Sequence, residues 1–160
     1  MKILVFSDTH GDLKLVKKAI EAHPQIDTVL FAGDYARDMN PLLDKDLTIY
    51  RVKGNCDKDD DFDEELIFDI EGVRFLLCHG HKFSVKYQLD DLAAHAKEAG
   101  AAAAVFGHTH KSCCTSSGGI LLFNPGCAGS KTRGNQPSYG IIEIKGGDIT
   151  QAKIRSAGEN

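Results

Sequence analysis

The 160-residue chain has no apolar run long enough to cross a bilayer, no excess of basic charge and no Cys-x-x-Cys pair. Its longest apolar stretches, such as Ala101 to Phe106, fall far short of the ~20 residues of a spanning helix, so no membrane span is expected. Lys and Arg number 19 against 23 Asp and Glu, a net charge of -4, which argues against stable nucleic-acid binding because phosphate-backbone binders carry clustered cations. The five cysteines, Cys56, Cys78, Cys113, Cys114 and Cys127, are odd in number and fit neither a disulfide frame nor a zinc ribbon. A reducing, cytoplasmic setting is expected. Met1 to Phe6 is apolar apart from Lys2, but Asp8, His10 and Asp12 follow where a signal peptide would continue apolar, so the segment reads as a first strand. No internal repeat is visible.

Hydrophobic residues make up 42% and charged residues 26%, the balance of a globular chain, and the length suits a single domain over 1–160. Lys2 to Ser7, Thr28 to Ala32 and Leu47 to Val52 are short apolar runs of buried-strand type. Between them, Asp12 to Ala22 places Leu13, Val16, Ala19 and Ile20 on one helical face, and Met39 to Leu43 is a weaker helix limited by Pro41. Leu66 to Ile70 and Val73 to Leu77 flank Glu71-Gly72 as a hairpin would. Tyr87 to Glu98 reads as a second helix stopped by Gly100. Strands follow at Ala102 to Phe106, Lys111 to Ser116, Ile120 to Phe123, Tyr139 to Ile144 and Ile149 to Ile154. The pattern predicts a mixed α/β fold with more than one sheet. The acidic run of Asp57, Asp59, Asp60, Asp61, Asp63, Glu64 and Glu65 reads as a solvated loop, since it lacks the glycine of a calcium loop.

Residues able to hold metals cluster just beyond the apolar runs. Asp8 and His10 follow the first strand, Asp34 the second, and Asn55 the third; His79 and His81 follow Phe75 to Cys78, and His108 and His110 follow Val105 to Gly107. Taken singly, each reads as a capped turn, a common loop pair or a chance His-x-His. Together they differ, because ligands of open α/β sheets collect beyond the carboxyl ends of strands, and several buried carboxylates and histidines need a compensating cation.

In order, Asp8-Thr9-His10, Gly33-Asp34, Gly54-Asn55-Cys56-Asp57, His79-Gly80-His81 and Gly107-His108-Thr109-His110 resemble the motifs of the calcineurin-like metallophosphoesterases, and Asn124-Pro125-Gly126 with Pro137-Ser138-Tyr139 resembles the C-terminal half of their small bacterial and archaeal phosphodiesterase branch. That resemblance implies a four-layer α/β/β/α sandwich of two mixed sheets flanked by helices, with two divalent metals at the strand ends. Carried over, Asp8, His10 and His110 would hold one metal, Asn55, His79 and His108 the other, and Asp34 would bridge them, while His81 would line the site and contact substrate or metal. Nitrogen and oxygen donors suit Mn²⁺ first, with Fe, Co²⁺, Ni²⁺ or Zn²⁺ also accommodated. The implied reaction is phosphodiester hydrolysis by water activated between the metals. A protein or nucleotide phosphomonoesterase, or a non-catalytic interaction scaffold like the small subunit of the retromer coat, is the alternative.

One position departs from the pattern. The family commonly has histidine where this chain has Cys56, which leaves Asp57 without an imidazole partner. A thiol is a poor proton donor and carries no positive charge, which disfavours monoester dianions and leans the reading toward small-molecule phosphodiesters. The catalytic candidates are therefore Asp34, Asn55, Cys56 and His81. His23 and His95 read as structural, Cys113, Cys114 and Cys127 as apolar fillers, Lys131 and Arg133 as solvated loop residues, and Asn124-Pro125-Gly126 chiefly as a turn. The branch implies a homodimer or homotetramer, which no feature of the sequence specifies.

Overall fold

The computed structural model describes residues 1–43, 45–58, 61–130 and 136–158. Asp59 and Asp60 of the acidic run, and the readings of Lys131 and Arg133, lie outside the described residues. Among the described residues, ten strands form two five-stranded sheets. The first holds β1 (Lys2–Phe6), β2 (Thr28–Phe31), β3 (Thr48–Arg51), β9 (Ser138–Lys145) and β10 (Asp148–Ser156) in the order β10-β9-β1-β2-β3. The second holds β4 (Glu65–Ile70), β5 (Val73–Cys78), β6 (Ala103–Val105), β7 (Cys113–Ser117) and β8 (Ile120–Asn124) in the order β4-β5-β6-β8-β7. Strands β1, β2 and β3 run parallel, as do β5, β6 and β8.

Three apolar cores separate four layers, which is why the central strands read as continuous apolar runs. Ile3 and Val5 face the core between the sheets, where they meet Phe75, Leu77, Val105 and Phe123. Their neighbours Leu4 and Phe6 face the opposite way, against Leu15, Val16, Ala19 and Ile20 of helix α1 (Lys14–Ala22). On the second sheet, Leu76 and Cys78 pack against Leu92, Ala93 and Ala96 of helix α2 (Asp90–Glu98). A strand covered on both faces has no polar side to alternate with. Each such side chain contributes about 1.5–3 kcal/mol on burial.

Element ends depart from the sequence reading for local reasons. Helix α1 starts at Lys14, not Asp12, because the Asp12 carboxylate accepts the Lys14 N–H (3.0 Å) from outside the helix. Helix α2 starts at Asp90, not Tyr87, because residues 84–87 form a turn closed by the Tyr87 N–H on the Ser84 carbonyl (2.9 Å). The weak helix around Pro41 is a 3₁₀ helix, Ala36–Leu42. Strand β7 starts at Cys113, since Thr109 Oγ1 both accepts from the Lys111 N–H (3.2 Å) and donates to the Lys111 carbonyl (3.0 Å), curling the chain before it can pair. The Glu71-Gly72 hairpin is as expected: both residues have positive φ (50° and 82°), as a two-residue type I′ loop requires.

Candidate metal centre

The carboxyl ends of β1, β2, β5, β6 and β8 are tied together by main-chain bonds. Asp8 N–H donates to Gly33 O (3.0 Å), Gly107 N–H to His79 O (3.1 Å) and Ala128 N–H to Ser7 O (2.9 Å). The His108 N–H then donates to Asp8 Oδ2 (3.1 Å), joining the two sheets at this edge. Eight described non-glycine residues have positive φ, and six of them, Asp8, His10, Asp34, Tyr35, His108 and His110, sit on these loops. Each such turn costs about 1–3 kcal/mol, so the fold concentrates backbone strain where the ligand-type side chains are presented. Gly54 is required by close approach, since a Cβ there would overlap the Asp34 carboxylate.

Donor atoms of Asp8, His10, Asp34 and His110 lie within 4.8 Å of one another. His10 Nε2 is 3.2 Å from His110 Nε2, and His110 Nε2 is 3.1 Å from Asp8 Oδ1. On the other side of Asp34, His79 Nε2 stands 3.3 Å from Asp34 Oδ1 and 3.1 Å from Asn55 Oδ1. Asp34 Oδ2 is 4.0 Å from His10 Nε2, so the carboxylate lies between two histidine groups. His108 and His81 join through ring contacts, with centroids 5.1 Å and 5.6 Å from that of His79. Cys56 is exposed beside Asp34, whose Oδ1 accepts the Cys56 N–H (2.9 Å).

Of the supporting side chains, Ser7 is passed over in the sequence, and Asn124, Cys127 and Asp57 read there in other roles. Ser7 Oγ donates to Asp8 Oδ2 (2.5 Å). Asn124 Nδ2 donates to Gly107 O (2.8 Å) and Thr109 Oγ1 (3.0 Å), so Asn124 braces the His108 loop and is more than a turn residue. Buried Cys127 donates its S–H to Asp8 O (2.9 Å) and is not an apolar filler. Cys114 is exposed and is not a filler either. Asp57 accepts N–H groups from Ala36 (2.8 Å), Gly54 (2.8 Å) and Tyr35 (3.1 Å), stapling the Asp34 loop to the Asn55 loop. A carboxylate so engaged has found partners other than the missing imidazole. The described part of the acidic run is also tied down, with Asp61 paired to Arg37 (2.6 Å), Glu64 to Lys82 and Glu65 to His95 (2.7 Å). His23 keeps a structural place, 3.2 Å from the Tyr139 hydroxyl.

The donors leave lone pairs facing one another. A carbonyl can only accept, so His79 Nδ1–H donates to Ala32 O (2.7 Å), which leaves the Nε2 lone pair facing the oxygens of Asp34 and Asn55. Three acceptors converge unless His79 takes a second proton or a metal stands among them. Burial works against a charged His79, yet the Asp34 hydrogen bond and the Asp8 and Asp34 charges outweigh it and raise its pKa. Burial would likewise raise Asp34, but His79 and the Cys56 N–H hold it well below the usual carboxylate range. His108 is pushed down to about 4 by burial and by His79 and Lys86. His81 is lowered by burial and His79, and its buried Nδ1 has no hydrogen-bond partner. Asp8 Oδ1, fully buried, also accepts no hydrogen bond. Lone-pair nitrogens beside an orphaned carboxylate oxygen fit divalent cations with mixed nitrogen and oxygen ligands.

Residues 1–147 match the calcineurin-like phosphoesterase superfamily domain. Over 162 residues the chain is 31% identical to the probable metallophosphoesterase YsnB of Bacillus subtilis, covering 99% of this chain and 93% of that one. Over 169 residues it is 30% identical to the phosphodiesterase MJ0936 of Methanocaldococcus jannaschii, covering 91% and 94%. Among solved structures, Vps29 of Entamoeba histolytica complexed with Zn²⁺ shares the fold, with a TM-score of 0.80 at 23% identity over 97% of each chain. The resemblance read from the motifs and the paired-sheet architecture it implied are both borne out.

Proposed function

The chain belongs to the calcineurin-like phosphoesterase superfamily, and from that membership we propose that it is a phosphodiesterase carrying two divalent metals. Asp8, His10 and His110 hold one ion, Asn55, His79 and His108 the other, and Asp34 is shared between them. The observation that carries this reading is the position of Asp34, with one oxygen 3.3 Å from His79 and the other 4.0 Å from His10. A carboxylate can bridge two cations where an imidazole cannot.

When bound, such ions neutralise phosphoryl charge and make a coordinated water acidic enough to act as nucleophile near neutral pH. The mixed donor set of four imidazoles, two carboxylates and one amide suits Mn²⁺, with Fe, Co²⁺, Ni²⁺ or Zn²⁺ as alternatives. Asp34 is ionised throughout the neutral range and ready to serve as a ligand. Partial desolvation and the Asp34 charge push the Cys56 thiol up to about 11, so it stays neutral and adds no positive charge at the mouth. That suits the single charge of a diester over the dianion of a monoester. His81 is neutral at pH 7 and lines the site beside His79. The substrate is then a small-molecule phosphodiester, turned over by one domain spanning 1–160 that self-associates as a dimer or tetramer in the cytoplasm. No described helix is long and apolar enough to cross a membrane.

Exhaustive chelation followed by Mn²⁺ tests the proposal, with bis-p-nitrophenyl phosphate as substrate. Stripped protein is expected to be inactive and to recover turnover on adding Mn²⁺. Full turnover after stripping, in excess chelator, would overturn it.

A further inference from the structure

Two groups of donor atoms in this site share His10 and His110. In one, the histidines stand with the carboxylates of Asp8 and Asp34; in the other, they stand with the thiol of Cys127, again all within 4.8 Å of one another. Cys127 is 2% exposed and reaches the site from 119 residues beyond Asp8, with its S–H donating to Asp8 O at 2.9 Å and Gly129 O at 3.4 Å. The shared histidine pair therefore has a hard, oxygen-bearing side and a soft, sulfur-bearing side.

We propose that Cys127, His10 and His110 form a thiophilic metal position adjoining the carboxylate one, taking Zn²⁺, Cd²⁺ or Co²⁺ while Mn²⁺ keeps to the oxygens. The inference rests on His10 and His110 being metal ligands. Two imidazole nitrogens about 2.1 Å from one tetrahedral ion lie roughly 3.4 Å apart. The observed Nε2 separation of 3.2 Å needs little adjustment to meet that. Thiolate sulfur and imidazole nitrogen together select soft and borderline ions, whereas carboxylate and water select Mn²⁺. On binding, the S–H bond breaks, its proton leaves to solvent and a metal–sulfur bond forms, with no change of oxidation state. Cys127 is buried and engaged with the Asp8 and Gly129 carbonyls, so an ion reaches it only through the site and takes the place of that hydrogen bond. An ion held there occupies both histidines and so competes with Mn²⁺ for the first position.

The test uses Co²⁺ as a spectroscopic probe in the Cys56→Ser protein, which removes the exposed thiol beside Asp34. Titration is expected to develop a near-ultraviolet thiolate-to-cobalt charge-transfer band. The double variant Cys56→Ser, Cys127→Ser should bind cobalt without that band, and its affinity for Cd²⁺ should fall at least about tenfold while that for Mn²⁺ is kept. Serine retains a donor for the Asp8 carbonyl, and the band in Cys56→Ser alone decides the matter should the double variant misfold. Cobalt bound with no band would overturn this inference alone. No cobalt bound by either protein would overturn it together with the reading it rests on.

Discussion

Replacing Asp57 should loosen the site without touching a metal ligand. Its carboxylate accepts three main-chain N–H groups, two of them from the buried residues Ala36 and Gly54, both at 2.8 Å. The third, from Tyr35 at 3.1 Å, is solvent-exposed. In Asp57→Ala, water reaches the Tyr35 N–H readily, so that bond contributes a few tenths of a kcal/mol at most. The two buried donors lose a charged acceptor, at about 1–1.5 kcal/mol each once partial solvation is allowed for. The sum is about 2–3 kcal/mol, which for a chain of this length lowers the melting temperature by roughly 4–12 °C. Asp57→Asn keeps one acceptor oxygen and should recover about half of the loss. Urea and thermal unfolding in chelator measure this free of metal linkage, and repeating both with Mn²⁺ shows whether the stabilisation by metal shrinks as the Asp34 loop loosens. A melting temperature for Asp57→Ala within 2 °C of wild type would refute the staple.

Other expectations are open to direct measurement. Asp34→Asn should lose both metals from elemental analysis and cut activity by about 10²-fold or more, while Asn55→Asp, which keeps an oxygen 3.1 Å from His79, should lose far less; two tightly held metals in active Asp34→Asn would show that the bridge is misassigned. In metal-free protein, His108 titrates near 4 in the fold against 6.5 in the unfolded chain, so only the unfolded chain gains this proton between those values and stability falls as pH drops from 6.5 to 4. His108→Gln should flatten that decline, and an unchanged slope of melting temperature against pH would count against it. Cys56→His should raise p-nitrophenyl phosphate hydrolysis relative to the diester, since imidazolium adds a proton and a charge at the mouth. With Asp57 already committed to three N–H groups, the gain should be well below the ~10²–10⁴-fold of a fully supported general acid, and an unchanged or lower ratio in folded, metal-replete protein would place Cys56 away from the substrate.

Much of this protein was legible before any coordinates, because the signals are local. Ile3-Leu4-Val5-Phe6 and Phe75-Leu76-Leu77-Cys78 announce strands covered on both faces, Glu71-Gly72 announces its own turn, and eight ligand-type residues announce themselves by standing directly after strand ends. The order of those motifs was enough for the family and the two-sheet fold. Tertiary structure alone decided what holds the ligands in place. Ser7, Asp57, Asn124 and Cys127 are ordinary residues in sequence, and their roles depend on contacts spanning from one residue (Ser7 to Asp8) to 119 (Cys127 to Asp8). Asp57 looked like a residue deprived of its partner because sequence shows only its neighbour Cys56, while the N–H groups it binds come mostly from a loop more than 20 residues earlier. A metal ligand is recognisable by its own chemistry, but a supporting side chain is defined by which loop the fold lays beside it, and that is set by the packing of two sheets face to face.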